Sequence, residues 1–489
     1  MVNRMKKKTK KSIKKENTKK NKITFKKEYI FYTIIFIIFV TLATIVSLKH
    51  EYWTDEASSW LIAADSSIKD LFTHYLHVEG HPALFHLVIK LFQAFGLQYK
   101  DFRIISLLFS SLGVFILLFK SNFKWYIKAL LPFTYFIFYQ YTIITRGYSL
   151  ALFLLAVLAT LWEKRKEKCV LFTIFLILLL NLEAYTFFMA GSIYFLYIVD
   201  YIIDYRKTHK HNKKYLICLI ILFLSFLLTT IYVFPRTDNT FYPAVNHFYI
   251  STAFLSEYKD SLNIKLILSL IIFALFIFIY YKQHDKKKVF EVIILLLPLF
   301  LFMKLKYCNL WHIGMFTFLA LFIFWIHGLS ENKLFNIFML IVCSVQIYWS
   351  ASSSIYDYKE PYTPAKEVAD FIKTYDYQNL KIYAQKFYEA QINAYFDENI
   401  FDNYQEDIRF FYWSRKNKYY SLDRTIEALK EENVDIFVST PINRPINKDE
   451  LEEYYDVYIF EGATHFEAHV CESMNTYVYV KKGLEPINN

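Results

Sequence analysis

Glycine is scarce in this chain, nine in 489 residues. No glycine-rich phosphate loop follows any predicted strand, which argues against nucleotide binding in the C-terminal part. No GxxxG interface and no internal repeat occur, and this weakens the case for an inverted-repeat transporter. The five cysteines (Cys169, Cys218, Cys308, Cys343, Cys471) are scattered, mostly inside apolar runs, so they offer neither a disulfide framework nor zinc spacing. The first apolar segment, Tyr29 to Leu48, is longer than a signal-peptide core and has no A-x-A-like site after it. It reads as a retained anchor.

What is abundant is apolar. Hydrophobic residues make up 55% of the chain and aromatics 20%, against 21% charged. That excess has to face lipid. The net charge of +11 would suit nucleic acid on a soluble surface, but here it is local, so no nucleic-acid partner is expected. Residues 1–28 hold a dense lysine run, too polar to pack a core. Short Lys-rich breaks (Lys120 to Lys128, Glu163 to Lys168, Arg206 to Lys214, Lys282 to Lys288) punctuate the apolar blocks. Positive loops stay cytoplasmic, so all four share a side with the amino terminus, and an even number of crossings separates each pair. The sum is about eleven helices over residues 29–350. An odd number places the first long loop, 49–101, and the C-terminal region 351–489 outside. There, strands alternate with helices and predict a small α/β domain. Expected elements are helices at Ala365 to Thr374, Phe387 to Phe396 and Leu422 to Glu432, with strands at Leu380 to Ala384, Ile408 to Trp413, Val434 to Thr440, Tyr454 to Phe460 and Thr476 to Val480. Richness in Lys, Ile, Asn and Tyr fits an AT-rich bacterial genome, and the expected location is the bacterial cytoplasmic membrane.

The first loop opens Tyr52-Trp-Thr-Asp55-Glu56-Ala-Ser-Ser-Trp60. An acidic pair at the mouth of a span is a functional candidate because desolvation makes it costly. The bland alternative is a solvated helix start, with Thr54 as N-cap and acids in the first turn. The loop continues through His77, Glu79 and His81, spaced two apart, which on an extended chain shares one side and would allow a metal site; satisfied loop histidines are the alternative. His81 to Phe92 is amphipathic and suits an interfacial helix. Basic residues should be few on the outer side, yet Arg103, Arg146, Arg236, Lys304 and Lys306 all fall near it. Each alone reads as snorkelling. Together they point to an anion held at the outer leaflet, since arginine grips phosphate through a planar fork and lysine as a point charge.

Several stretches, in order, resemble the dolichyl-phosphate-mannose protein mannosyltransferase-like enzymes of glycosyltransferase superfamily C. They are the Asp55-Glu56 pair, the interfacial His81-Pro-Ala-Leu-Phe, Phe102-Arg-Ile-Ile-Ser106, the short aromatic turn ending Thr145-Arg-Gly-Tyr-Ser149, and Lys306-Tyr307 through His312-Ile-Gly314. The second proline of the family's His-Pro-Pro is absent. The resemblance implies a polytopic α-helical membrane fold and transfer of a sugar from a polyprenyl-phosphate donor to a hydroxyl acceptor (protein, wall polymer or glycolipid), with inversion and no organic cofactor. It makes Asp55 the base and leaves Glu56 as its support or as a ligand of a divalent cation. Arg103, Arg146, Lys304, Lys306 and His312 would face the donor phosphate; Trp53, Trp60, His81, Tyr148 and Tyr307 would line the substrate. A transporter or flippase of lipid-linked sugars, and a non-catalytic scaffold displaying the C-terminal domain, are the competing readings.

Overall fold

The computed structural model describes residues 27–234, 278, 280–282, 286–305, 310–404, 408–414, 422–441 and 448–484. Among them, five helices are long and apolar enough to cross a membrane: α1 (Lys27–Ser47), a helix over Tyr99–Lys120 whose α-helical part is α4 (Arg103–Lys120), α7 (Ala184–Thr208), α8 (Lys213–Val233) and α11 (Lys333–Lys359). By length and composition this is a membrane protein. Between them lie shorter helices: α2 (Thr54–Asp65), α3 (Leu84–Ala94), α5 (Tyr148–Leu161), α6 (Cys169–Leu180), α9 (Lys286–Leu305) and α10 (Gly314–His327). The long helices are apolar on both faces. On α1, Tyr32, Phe39 and Ala43 are buried while Ile30, Ile34, Ile37 and Leu42 are exposed, and α8 exposes Ile217, Ile220, Leu224, Leu228 and Ile231. A helix apolar all round is stable only where its outer face meets lipid.

α5 is the buried centre of the bundle, packed between α4 and α6. α4 can approach it because Gly113 has no side chain; a Cβ there would lie 2.9 Å from Leu152 Cγ. Ahead of α5 the chain does not form one regular span. Pro132 follows the short helix Trp125–Leu130, and a wide π-turn segment, Phe136–Ile143, continues after it, buried at every residue. Proline removes a backbone donor and breaks the helix, and such a break is tolerated at membrane depth only when wrapped in protein.

α11 continues ten residues past Trp349, where sequence composition suggested its end, and carries Ser353 and Asp357 into buried contacts. The C-terminal region then forms a four-stranded sheet ordered β1-β2-β6-β3, from β1 (Ile382–Ala384), β2 (Ile436–Ser439), β6 (Thr476–Lys481) and β3 (Tyr455–Phe460). β1 and β2 are parallel, and the other pairs antiparallel. Alternation sends Ile436, Val438, Val478 and Val480 to one face, under α12 (Ala365–Thr374), and Phe437 and Tyr479 to the other, with Leu429 of α13 (Leu422–Glu431). This follows the two-residue period of a strand.

Two expected elements are corrected. Ile408 to Trp413 is no strand: the Arg409 N–H and guanidinium bond Asp65 of α2, and Phe410 and Tyr412 set their rings edge-on to Tyr75. Phe410 and Tyr412 dock on the first loop, and Phe411 and Trp413 pack on Phe387, instead of pairing in a ladder. Within Phe387 to Phe396 only Ala390–Asn393 is α-helical. The hairpin of β4 (Ala463–Phe466) and β5 (His469–Ser473) was not foreseen; it packs on α11 through Ser353 and His465.

Candidate functional site

Six residues separate α1 from α2, which has both acids in its first turn. Acids there suit the helix dipole, and the two side chains part company at once. Glu56 points inward and is completely buried. Its Oε2 accepts the Trp53 N–H at 3.1 Å, half of a capping box. Its Oε1 accepts the Thr145 N–H. His50 completes the arrangement, with Nε2 3.0 Å from Glu56 Oε2 and Nδ1 2.8 Å from Asp357 Oδ2, all three side chains fully buried. Burial opposes charge on His50, but Asp357 and then Glu56 outweigh it and raise its pKa to about 10. A buried imidazolium between two carboxylates therefore joins α1, α2 and α11.

Asp55 turns the other way. About a third of its side chain is accessible (31%), and Oδ2 lies 3.9 Å from Arg146 Nη1, the outer limit of an ion pair. Arg146 is held on α2 by one backbone and one side-chain acceptor: Nη1 donates to Asp55 O at 2.7 Å and Ser59 Oγ at 3.2 Å. Nε and Nη2 are engaged by no hydrogen bond among the described residues. Burial is the larger influence on Asp55 and raises its pKa, against the pull of Arg146 and His81.

The neighbours of this pair come from two more places. His81 Nδ1 lies 2.6 Å from Glu183 Oε2, poorly aligned for a hydrogen bond, so the contact is an ion pair. Burial disfavours both charges, yet each stabilises the other: His81 is raised and Glu183 lowered. Glu183 precedes α7, where its N–H is held 2.9 Å from Thr186 Oγ1. Glycine at 147 makes room for it, because a Cβ would fall 2.3 Å from Glu183 Oε1. This explains Arg-Gly-Tyr as a unit: the cation, the gap and the next ring are consecutive. Glu79 feels the same charges. Burial, helped by Asp55 and Glu183 and opposed by His81 and Arg146, pushes it up to about 7.

An aromatic wall stands beside the charges. Trp53 and Trp311 meet edge to face at 5.6 Å. His312 is buried against Tyr185 (4.5 Å between centroids) and Tyr148 (6.1 Å). Gly314 lets this turn close on the broken helix, since a Cβ would lie 2.3 Å from the Phe136 ring and 2.5 Å from Tyr141 Oη. His312 is thus a packed ring in the wall and not an accessible cation.

Other expected residues are elsewhere. The Arg103 guanidinium is taken by Tyr52 Oη and the Ser47 and Lys100 carbonyls; it staples α4 to the end of α1. Trp60 packs against Tyr99 and Phe102 as core. His77 Nδ1 bonds the Phe234 carbonyl at 2.7 Å. Among the described residues no three His, Cys, Asp or Glu are placed to hold a metal ion. Glu56 does not fit a cation either, because its two oxygens are bonded to Trp53, Thr145 and His50. Lys304 lies near the end of α9, but its side chain, like Lys306, Tyr307 and Arg236, lies outside the described residues.

The C-terminal domain closes over α2. Thr54 Oγ1 donates to Gln391 Oε1 (3.2 Å), Tyr395 Oη to Glu51 (3.1 Å), and Arg409 forms a two-pronged pair with Asp65 at 2.6 and 3.0 Å. Lys90 of α3 holds the other end of α2 by donating to the Ala63 and Ser66 carbonyls, as a cation suits a helix C-terminus. α2, which carries Asp55 in its first turn, is therefore held at both ends. No family model matches the sequence, and no curated protein does.

Proposed function

We propose that this chain is an inverting membrane glycosyltransferase. It moves a sugar from a polyprenyl-phosphate donor to a hydroxyl acceptor on the outer face of the bacterial cytoplasmic membrane, with about eleven crossings as in the superfamily it resembles. The observation that carries the reading is the meeting of Asp55 and Arg146, 91 residues apart, beside the His81–Glu183 ion pair and just beyond the first span. A partly accessible carboxylate with a raised pKa suits a proton acceptor. A guanidinium whose Nε and Nη2 have no hydrogen bond among the described residues suits a phosphate.

In the reaction, Asp55 takes the proton from the acceptor hydroxyl as its oxygen bonds the anomeric carbon. The bond from that carbon to the phosphate oxygen breaks, and the electron pair leaves with the polyprenyl phosphate, whose charge Arg146 stabilises. One displacement inverts the anomeric centre. Glu56, committed to its buried partners, takes no part in the proton transfer.

Binding of polyprenyl phosphate to purified protein tests the assignment. Arg146→Ala should weaken it by about 1.5–3 kcal/mol, the worth of a hydrogen bond to a charged group. Equal binding by the variant would remove Arg146 from the phosphate, and no consumption of any sugar-loaded lipid by the parent would remove the reaction.

A further inference from the structure

Between α7, α8 and α9 lies a cavity of about 310 Å³, lined by Phe187, Phe188, Gly191 and Phe195 of α7, Phe226 of α8 and Pro298 of α9. Two residues that weaken a helix face it. Pro298 stands inside α9, where it forfeits the backbone bond to the carbonyl of Ile294, another residue of the lining. Gly191 stands inside α7, where alanine would be the stronger helix former. Close packing does not demand glycine there. An added Cβ would meet only the Phe226 ring, at 3.6 and 3.7 Å, an ordinary contact. What a longer side chain at 191 would do is fill the cavity. A void deprives its lining of dispersion contacts, so a glycine and a proline that keep one open call for an occupant.

Chemistry and place identify it. Apolar walls offer nothing to a headgroup and suit a hydrocarbon chain. The volume holds about ten groups the size of a water, on the order of ten chain carbons. That is one chain, not the pair of a phospholipid. Phe187 is one turn beyond Glu183 on α7, and Phe195 is about 12 Å deeper by helical rise. On the topology proposed above, the cavity therefore lies in the outer half of a hydrocarbon core about 30 Å thick. Its upper wall is continuous with the aromatic wall of the site. Phe188 stacks on Phe302 at 4.3 Å, Tyr185 meets the same ring at 5.5 Å, and Tyr185 covers His312 at 4.5 Å. Its mouth opens away from the bundle, where Phe195 and Leu297 are 50% and 46% exposed.

We infer that this cavity is a binding site for the polyprenyl chain of the donor whose phosphate meets Arg146. The inference rests on the glycosyltransferase reading for the identity of the lipid. It adds that the protein reads the chain as well as the phosphate.

The test uses full-length protein in nanodiscs of phosphatidylglycerol and phosphatidylethanolamine, where two-chain lipid is in large excess. A polyprenol bearing a photoreactive diazirine and no phosphate should label α7 around Phe195 and α9 around Leu297 above the other lipid-facing helices. Labelling spread evenly over α1, α7, α8 and α9 would mean that phospholipid chains fill the cavity, and would overturn the inference. Gly191→Leu fills the cavity and should remove the selective labelling. It should also lose at least about tenfold in affinity for long-chain polyprenyl phosphate, about 1.4 kcal/mol. Dimethylallyl phosphate, with a single isoprene unit, should bind Gly191→Leu as it binds the parent. Gly191→Ala should melt at or above the parent, because its methyl makes only an ordinary contact. If Gly191→Leu binds the long-chain lipid as tightly as the parent, the chain site fails while the phosphate assignment stands. Selective labelling in a parent that binds no polyprenyl phosphate would sustain the chain site and remove only the phosphate assignment.

Discussion

Two charged clusters lie back to back across the first turn of α2, and adjacent residues lead into them. In the Glu56–His50–Asp357 cluster all three side chains are fully buried, and both imidazole nitrogens have a carboxylate partner within about 3 Å. In the Asp55–Arg146 cluster the pair is at 3.9 Å, part of each side chain is accessible, and among the described residues Nε and Nη2 of the guanidinium have no hydrogen bond. Paired charges sealed from water hold a structure in one register at high desolvation cost. Charges that are brought together but incompletely paired keep capacity for a ligand. The contrast assigns the inner cluster to support and the other to chemistry, and each prediction below strains one side of it.

The largest effect should come from the inner cluster. His50→Ala leaves two buried carboxylates without their cation, and breaking such a pair costs about 3–5 kcal/mol. Unfolding in detergent should register it directly. The stability that His50 contributes has a defined sign. Its pKa rises from 6.5 to about 10 on folding, so the contribution is whole below pH 6.5 and is lost as pH climbs through about 10. A parent and a His50→Ala protein that lose stability equally over that window would contradict the buried imidazolium between Glu56 and Asp357.

Gly147→Ala should come next. The added methyl meets Glu183 Oε1, and overpacking at a buried site costs about 1–3 kcal/mol. Because Glu183 would have to withdraw from His81, turnover should fall with stability. A variant with unaltered turnover would separate the ion pair from the site. The smallest effect concerns Glu79, whose pKa rises from 4.5 to about 7. Its stabilising contribution is present below pH 4.5 and disappears as pH rises through about 7. In Glu79→Gln the melting-temperature profile should be flatter than the parent's across that interval; an unchanged slope would place the titration elsewhere.

Much of the scaffold was legible in the sequence. Apolar blocks and lysine breaks located the long helices, and two-residue alternation located most C-terminal strands, because both signals are local. The amphipathic helix Ala365–Thr374 appears with the bounds its pattern implied. The Asp55-Glu56 pair and Arg146 were visible as charges where charge is costly. What sequence did not reveal is which acid does what: the inward turn of Glu56 depends on His50 and Asp357, and Asp357 is 301 residues further on. Arg103 looked like Arg146 because both are basic and near a helix end, and only the Tyr52, Ser47 and Lys100 oxygens around it tell them apart. Ile408 to Trp413 misled for a related reason. Its aromatic run looked like a buried strand, but Phe410 and Tyr412 meet Tyr75 of the first loop while Phe411 and Trp413 pack on Phe387 of the C-terminal domain.

The most direct test sets the two adjacent acids against each other. Asp55→Asn and Glu56→Gln are isosteric, and each removes one carboxylate. Both turnover, as consumption of a polyprenyl-phosphate sugar, and melting temperature are measured on the purified proteins. The account predicts that Asp55→Asn loses at least about a hundredfold in turnover, the lower end for a lost general base, while melting close to the parent. Glu56→Gln should melt clearly lower and, per folded molecule, keep turnover within about tenfold of the parent, since its carboxylate acts on packing and not on the proton. The opposite pattern, an active Asp55→Asn beside a stable but inactive Glu56→Gln, would contradict it.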